Sequence, residues 1–384
     1  MKFGIGWSTK KEAISAGKEA VQQAISEIGG KSDYIILFSS PAFELEKLIP
    51  QVVLESEHCP MIGCTTSGEI TNAGISFGSL VVVAVKCEEG EGIRPVAVSD
   101  VCGNERASGS RLAKEIEDVE RDGTLLIFPD GLLSHGTALV KGIQENLDPR
   151  IQIIGACAGD DLKRQKTYQF RNGEILTEAL SGGLFFINDQ QRVSLRHGFY
   201  PAFPPMCVTR SKENIIYELD HHRATKVYLE SLGLSEDDMA FSPVQDLKET
   251  RVSPIGIPQI SGEYLIKHFL HFGKDGSIAC DSFLPQNTII RIMGQDKDSL
   301  IRATRRCAED IARTIKKPKI IFVFACSSRM LILGEDAEKE IDQIKDVFGK
   351  DVPIAGFYGY GEIGPLSERK GTFNNKSVVL WAIG

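Results

Sequence analysis

Three stretches of this chain place a carboxylate beside glycines and small polar residues at nearly the same spacing, a combination that can hold a small polar molecule. They are Ile62-Gly63-Cys64-Thr65-Thr66-Ser67-Gly68-Glu69, Ile154-Gly155-Ala156-Cys157-Ala158-Gly159-Asp160 and Ala355-Gly356-Phe357-Tyr358-Gly359-Tyr360-Gly361-Glu362. Glycine admits positive φ and lets a ligand approach main-chain N–H and C=O groups closely. A carboxylate there holds an ammonium group or orients neighbouring amides. The plainer alternative is that Glu69, Asp160 and Glu362 cap loops or tie repeat units together. Cys64, Thr65, Thr66 and Ser67 add a thiol and three hydroxyls to the first loop, and Tyr358 and Tyr360 precede the acid of the last.

Arg329 follows the apolar run Ile320 to Ala325, so it leaves a sheet at the carboxyl end of a strand. In open α/β sheets that edge is where ligands bind. A guanidinium there clamps a carboxylate through paired hydrogen bonds, and Arg329 with Glu362 would suit the two charged ends of an amino acid. The alternative is a surface salt bridge. A thiol nucleophile at Cys64 or Cys326, or a loop carboxylate, would instead make a hydrolase or transferase. No Gly-x-Ser-x-Gly elbow occurs and no histidine near Cys64 in sequence completes a dyad, so ligand-lining hydroxyls are the better reading. Gly359-Tyr360-Gly361-Glu362-Ile363-Gly364 fits a dinucleotide fingerprint, but Pro365 stands where the helix should open.

Metal chemistry has little to build on. His268 and His271 stand three apart, which would share a face only on a helix, and no third ligand is signalled. The nine cysteines are scattered, with Cys59 and Cys64 the closest pair. That suits neither a disulfide framework nor a zinc site.

The elements that must position these groups repeat too. Before each loop lies an apolar run (Tyr34 to Phe38, Leu125 to Phe128, Ile320 to Phe324), then a segment long enough for a helix. After each comes another apolar run (Leu80 to Val85, Gly183 to Ile187, Ser377 to Ile383). One strand–helix–strand–loop–strand unit has been reused. Helical spacing marks residues 13–28, 301–315 and 337–348. Short, continuously apolar strands are those covered on both faces, so the chain reads as α/β with mixed, largely buried sheets. Tyr200-Pro201-Ala202-Phe203-Pro204-Pro205 breaks the pattern, and we divide the chain into domains at 1–220 and 221–384.

At 384 residues with a net charge of −8 the chain can bury a sizeable core and carries no nucleic-acid footprint. No run approaches a membrane span, and the first residues lack a signal-peptide core, so a cytoplasmic protein is expected.

Several of these segments resemble the FIST family. The N-terminal pattern is carried by Asp33-Tyr34-Ile35-Ile36-Leu37-Phe38, Ile62 to Ile70, Arg196-His197-Gly198-Phe199-Tyr200-Pro201, Val208-Thr209 and Glu218-Leu219-Asp220. The C-terminal one is carried by Phe322-Val323-Phe324-Ala325-Cys326-Ser327-Ser328-Arg329 and Gly356 to Pro365. The resemblance implies a sensory, small-ligand-binding protein, with amino acids proposed as ligands. Stand-alone bacterial members include haem-based nitric-oxide sensors that act on a histidine kinase. It therefore implies a separate signalling partner and a possible haem b, for which His197 is the axial candidate.

Overall fold

The structure, a computed structural model, describes residues 1–119, 121–235, 253–260, 262–280, 283–366 and 371–384. Three six-stranded mixed sheets carry the core, and each is built to one plan. In the first, the outer strand Lys2–Ser8 pairs with Leu80–Lys86, which pairs with Tyr34–Ser39, which runs parallel to Met61–Thr65. Gly92–Val98, Leu180–Phe186, Gly123–Pro129 and Ile151–Ala156 repeat the arrangement. So do Gln191–Arg196, Val378–Ile383, Ile320–Cys326 and Ile354–Gly359.

The last two places in each sheet are filled by a hairpin from another unit. The first unit sends Glu69–Thr71 and Gly74–Ser76 to the third sheet. The second sends Gln169–Arg171 and Glu174–Leu176 to the first. The third sends Glu362–Gly364 and Thr372–Asn374 to the second. The exchange is cyclic, so the three units close into a ring.

Strand alternation decides what fills the ring. Side chains two apart share a face, so Ile36 and Phe38 point to the common centre while Ile35 and Leu37 lie under helices. Phe38, Phe128 and Phe324 occupy the same position in the three units and meet with centroids 5.5, 6.2 and 6.2 Å apart. Outside, helices Ala13–Glu27 and Leu45–Glu55 cover the first sheet, Glu105–Lys114 and Gly136–Gln144 the second, and Lys297–Ala312 and Glu338–Phe348 the third. Ala13, Ala16, Ala20 and Ala24 give the first helix a small-residue face. That face lies so near Lys2–Ser8 that a Cβ on Gly6 would stand 1.9 Å from the Ala20 carbonyl oxygen.

The opening glycine of each motif has the same cause. A Cβ on Gly63, Gly155 or Gly356 would stand 2.0, 1.9 or 1.8 Å from the carbonyl oxygen of Leu37, Ile127 or Val323 on the neighbouring parallel strand.

Between Gln191–Arg196 and Lys297–Ala312 the third unit is interrupted by a nine-stranded sheet with its own core, including Val208, Leu219, Tyr228, Phe269 and Phe272. Residue 220 lies at a left-handed turn, Asp220-His221, between paired strands of this inserted sheet. His268 and His271 belong here: His271 lies on the strand Phe269–Phe272 and His268 just before it. They lie on extended chain rather than on a helix, and the strand is irregular between Phe269 and His271.

Candidate functional site

The three motif loops converge at one end of the ring. The Ser67 amide donates to the Tyr358 carbonyl (2.8 Å), the Tyr358 amide to Gly68 (2.9 Å), the Gly159 amide to Thr65 (2.8 Å) and the Cys157 amide to Gly361 (2.8 Å). The motif residues thus bond largely to one another.

Glu69 is fully buried and accepts from the hydroxyls of Thr66 and Ser79 and from the Ser79 amide. Burial pushes its carboxyl up to about 7 against those hydrogen bonds. Glu362 repeats the arrangement, accepting from the Ser377 amide (3.1 Å) and hydroxyl (2.8 Å). Its Oε1 has no hydrogen-bond partner, the Cys326 side chain lies against the carboxyl group, and burial raises the group to about 8.

The third acid of the sequence pattern is not equivalent. Strand register puts Gln169 opposite Cys64, as Glu69 lies opposite Phe357 and Glu362 opposite Ala156. Asp160 sits in the preceding loop, where it takes the amides of Arg164, Gln165 and Lys166 and the Tyr360 hydroxyl. It is a loop cap.

Arg329, expected to clamp a ligand, is fully buried with its N–H groups turned to the protein. Nε and Nη2 donate to Glu340 (3.2 and 2.5 Å), Nη1 to the carbonyls of His197 (2.6 Å) and Lys376 (3.2 Å), and Nη2 also to the Leu300 carbonyl (2.9 Å). That geometry leaves no face for a ligand. It is likewise not a surface salt bridge.

Tyr358 is buried with its hydroxyl beside Glu340. Cys64 lies in the central core, and burial holds its thiol well above the ordinary range, the reverse of what a nucleophile needs. The Thr65 hydroxyl accepts the Tyr168 amide (3.0 Å). His197, the axial candidate, is buried, and its Nδ1 accepts the Phe199 amide at 2.9 Å. The ring is held neutral, its pKa lowered to about 4 by burial and by the charges of Arg329 and Arg196.

A cavity of about 230 Å³ opens beside these loops, between the ring and the inserted sheet. The ring contributes Cys157, Cys326, Ser327, Ser328 and Lys376, with Arg164 and Tyr360 adjoining; the inserted sheet contributes His268 and Leu270. Leu132 and Leu270, 38% and 40% exposed, sit at its mouth. Of the ten ligand-site candidates named from the sequence, Tyr360 alone is among the described lining residues.

Lys376 is the residue sequence reading missed. It is 1% exposed, and its Nζ has no hydrogen-bond partner. Its φ is +57°, in the left-handed region, as are Gly78 (+59°) and Glu178 (+49°) at the equivalent turns of the other units. A signal was present: Gly78-Ser79-Leu80 and Lys376-Ser377-Val378 stand alike before their return strands, with a lysine replacing the glycine. Burial, with the charges of Lys376 and Arg164, holds the His268 imidazole well below its usual pKa.

A cavity closed between a three-unit α/β ring and an inserted sheet suits a protein that takes up small molecules, and sequence comparison supplies the class. Residues 33–222 match the FIST N domain and residues 224–365 the FIST C domain. The chain belongs to the FIST family, whose domains are small-ligand sensory domains. The two matches meet next to the Asp220-His221 turn of the inserted sheet. An uncharacterised protein of Mycobacterium tuberculosis is 24% identical over 382 residues, spanning 96% of each chain. One of Mycobacterium bovis is 23% identical over 388 residues, 96% of this chain and 95% of the relative. One of Methanocaldococcus jannaschii is 24% identical over 354 residues, 84% of this chain and 65% of that protein. No helix among the described residues is long and apolar enough to cross a membrane.

Proposed function

We propose that this chain is a cytoplasmic sensor that takes a small ligand into the cavity between ring and inserted sheet. It reports occupancy to a separate signalling protein, a histidine kinase or an equivalent. The observation that supports this reading is the buried Lys376 amine, without a partner, in a cavity whose opposite wall is the inserted sheet. The sheet joins the ring through two crossings, 197–199 and 295–296. In the first, Gly198 (φ +82°) lies against Ser299, where a Cβ would stand 2.7 Å from the carbonyl oxygen.

A ligand that touches both walls stabilises one orientation of the sheet over others. A conformational readout requires that difference in affinity. The test is hydrogen exchange across residues 199–296 with and without ligand, beside autophosphorylation of a candidate kinase. Protection of the inserted sheet together with a change in kinase output supports the reading; a ligand that binds and moves neither sinks it.

Haem is the second occupant to test, and the residues fit it less well. A cavity of 230 Å³ lies under the roughly 300–1,000 Å³ of drug-sized sites, and a porphyrin is larger than most such ligands. His197 is not among the described lining residues; of the axial donor types, His268, Cys157, Cys326 and Tyr360 are. A saturable one-to-one Soret band that shifts with nitric oxide would favour haem over the small-ligand reading. The hydrolase or transferase alternative is tested by thiol labelling, where rapid alkylation of Cys326 at neutral pH is the result it requires.

A further inference from the structure

Lys376 is pinned at its backbone and unpaired at its amine. Its carbonyl accepts from Arg329 Nη1 (3.2 Å), and the next amide, that of Ser377, donates to Glu362 (3.1 Å). The turn therefore fixes where the side chain starts, as a positioned reactive group requires. At the other end Nζ has no hydrogen-bond partner, although the residue is 1% exposed and lines the cavity.

An unpartnered ammonium away from water is unfavourable, and two chemistries relieve it. One is an ion pair with an arriving anion. Its fit turns on the ionic state of the Glu362 carboxyl, whose Oε1 is unpartnered beside Cys326. The other is covalent. A lysine amine that condenses with a carbonyl compound becomes a neutral imine, which removes the charge instead of pairing it. An uncharged ligand makes no demand on the ionic balance of the wall.

The opposite wall supplies a proton carrier. His268 lines the cavity from the inserted sheet, and its enclosed Nδ1 has no hydrogen-bond partner. Its ring is held neutral, and a neutral imidazole can take a proton from one atom and hand it to another. Leu132, Leu133 and Phe373 line the same cavity and offer an apolar wall for a short carbon chain.

Resting on the reading of this cavity as the sensory site, we infer that Lys376 captures a small uncharged aldehyde or ketone as an imine. The free amine reacts; any further proton on it passes first to solvent. Its nitrogen adds to the carbonyl carbon, so a C–N bond forms as the C=O double bond opens. The oxygen then leaves as water with the two protons that nitrogen gives up, and the C=N bond closes. His268 carries those protons from nitrogen to oxygen. No oxidant or reductant takes part, and hydrolysis by the reverse path releases the ligand.

The test is reductive trapping on the full chain, with butanal and cyanoborohydride near neutral pH, read by peptide mass spectrometry. Labelling of Lys376 is expected to saturate with butanal concentration and to outpace that of an exposed lysine such as Lys226. His268→Asn should slow it by on the order of a hundredfold, the lower range of what a positioned proton carrier contributes, with saturation still reached. Leu270→Trp, at an exposed position of the mouth, should slow trapping at Lys376 and leave Lys226 unchanged. In calorimetry without reductant, butanal should bind more tightly than butan-1-ol, which has the same chain and no carbonyl. Lys376→Met and Lys376→Arg should each bring the two level, with melting temperatures showing that the fold is kept.

Label on exposed lysines with Lys376 unmodified would overturn the inference. If butanal and butan-1-ol then bound alike and Leu270→Trp weakened both, the cavity would still stand as the site. Trapping at Lys376 that left hydrogen exchange of residues 199–296 unchanged would uphold the imine and overturn the sensory reading. Neither trapping at Lys376 nor heat from butanal would also overturn the inference.

Discussion

Arg329 ties together parts of the chain that are far apart in sequence: the helix carrying Glu340, the helix carrying Leu300, the crossing at His197 and the turn at Lys376. Removing one partner of such an enclosed pair leaves the other charge stranded, at a cost of roughly 3–5 kcal/mol. Arg329→Met and Glu340→Gln are each expected to lower stability by about that much in urea denaturation. The double variant should lose less than the sum, since the two act as a unit. Glu69 and Glu362 behave differently because their carboxyls are raised, to about 7 and about 8. The folded state holds those protons when the unfolded chain, with an ordinary glutamate near 4.3, has released them. Stability from these groups is therefore full below the unfolded value and is lost as pH rises through 7 and then 8. Glu69→Gln and Glu362→Gln should flatten that alkaline loss, measured as melting temperature from pH 5 to 9. An unchanged slope would show that neither group takes up a proton on folding. The second unit already carries the neutral form, Gln169, at this position.

At the scale of elements, the apolar runs and helical spacings read from sequence correspond to strands Tyr34–Ser39, Gly123–Pro129 and Ile320–Cys326 and to helices Ala13–Glu27, Lys297–Ala312 and Glu338–Phe348. They were legible because a strand buried on both faces and a helix buried on one are written in local periodicity. The motif glycines were legible as a pattern but not in their cause. They serve strand-to-strand approach rather than a ligand. Each Gly→Ala change at 63, 155 or 356 drives a methyl group into a carbonyl oxygen and should cost roughly 1–3 kcal/mol or more. A melting temperature unchanged in all three would contradict the packing described. The cavity was the least legible part. Its cations come from residues 164 and 376 and its imidazole from 268, brought together by pairings across hundreds of residues. Register also revealed that Asp160, matched by spacing to Glu69, had Gln169 as its true counterpart to that residue.

The whole molecule depends on the exchanged hairpins. A fragment of residues 1–90 would lack the hairpin Gln169–Leu176 at one edge of its sheet and leave Glu69–Ser76 without a sheet to join. Such a fragment is expected to give no cooperative melting transition by circular dichroism, whereas a sharp one would show that a unit stands alone. Pairings such as Thr71 with Ala355 also join distant parts of the chain, and non-local pairing slows folding. The ring has one more consequence. Met1 and Gly384 end up side by side, the Met1 amine 3.0 Å from Asp189 and the Gly384 amide 3.0 Å from the Gln190 carbonyl. Those contacts fall on the segment joining the second and third units, so residues 1 and 384 lie next to the junction between those units. A permuted chain, with its ends joined by a short linker and opened near Glu89, would read the same three units in a different order and rebuild the same sheets. The order in which the chain visits the units can change while the pairings stay the same, and the folded ring keeps no record of it.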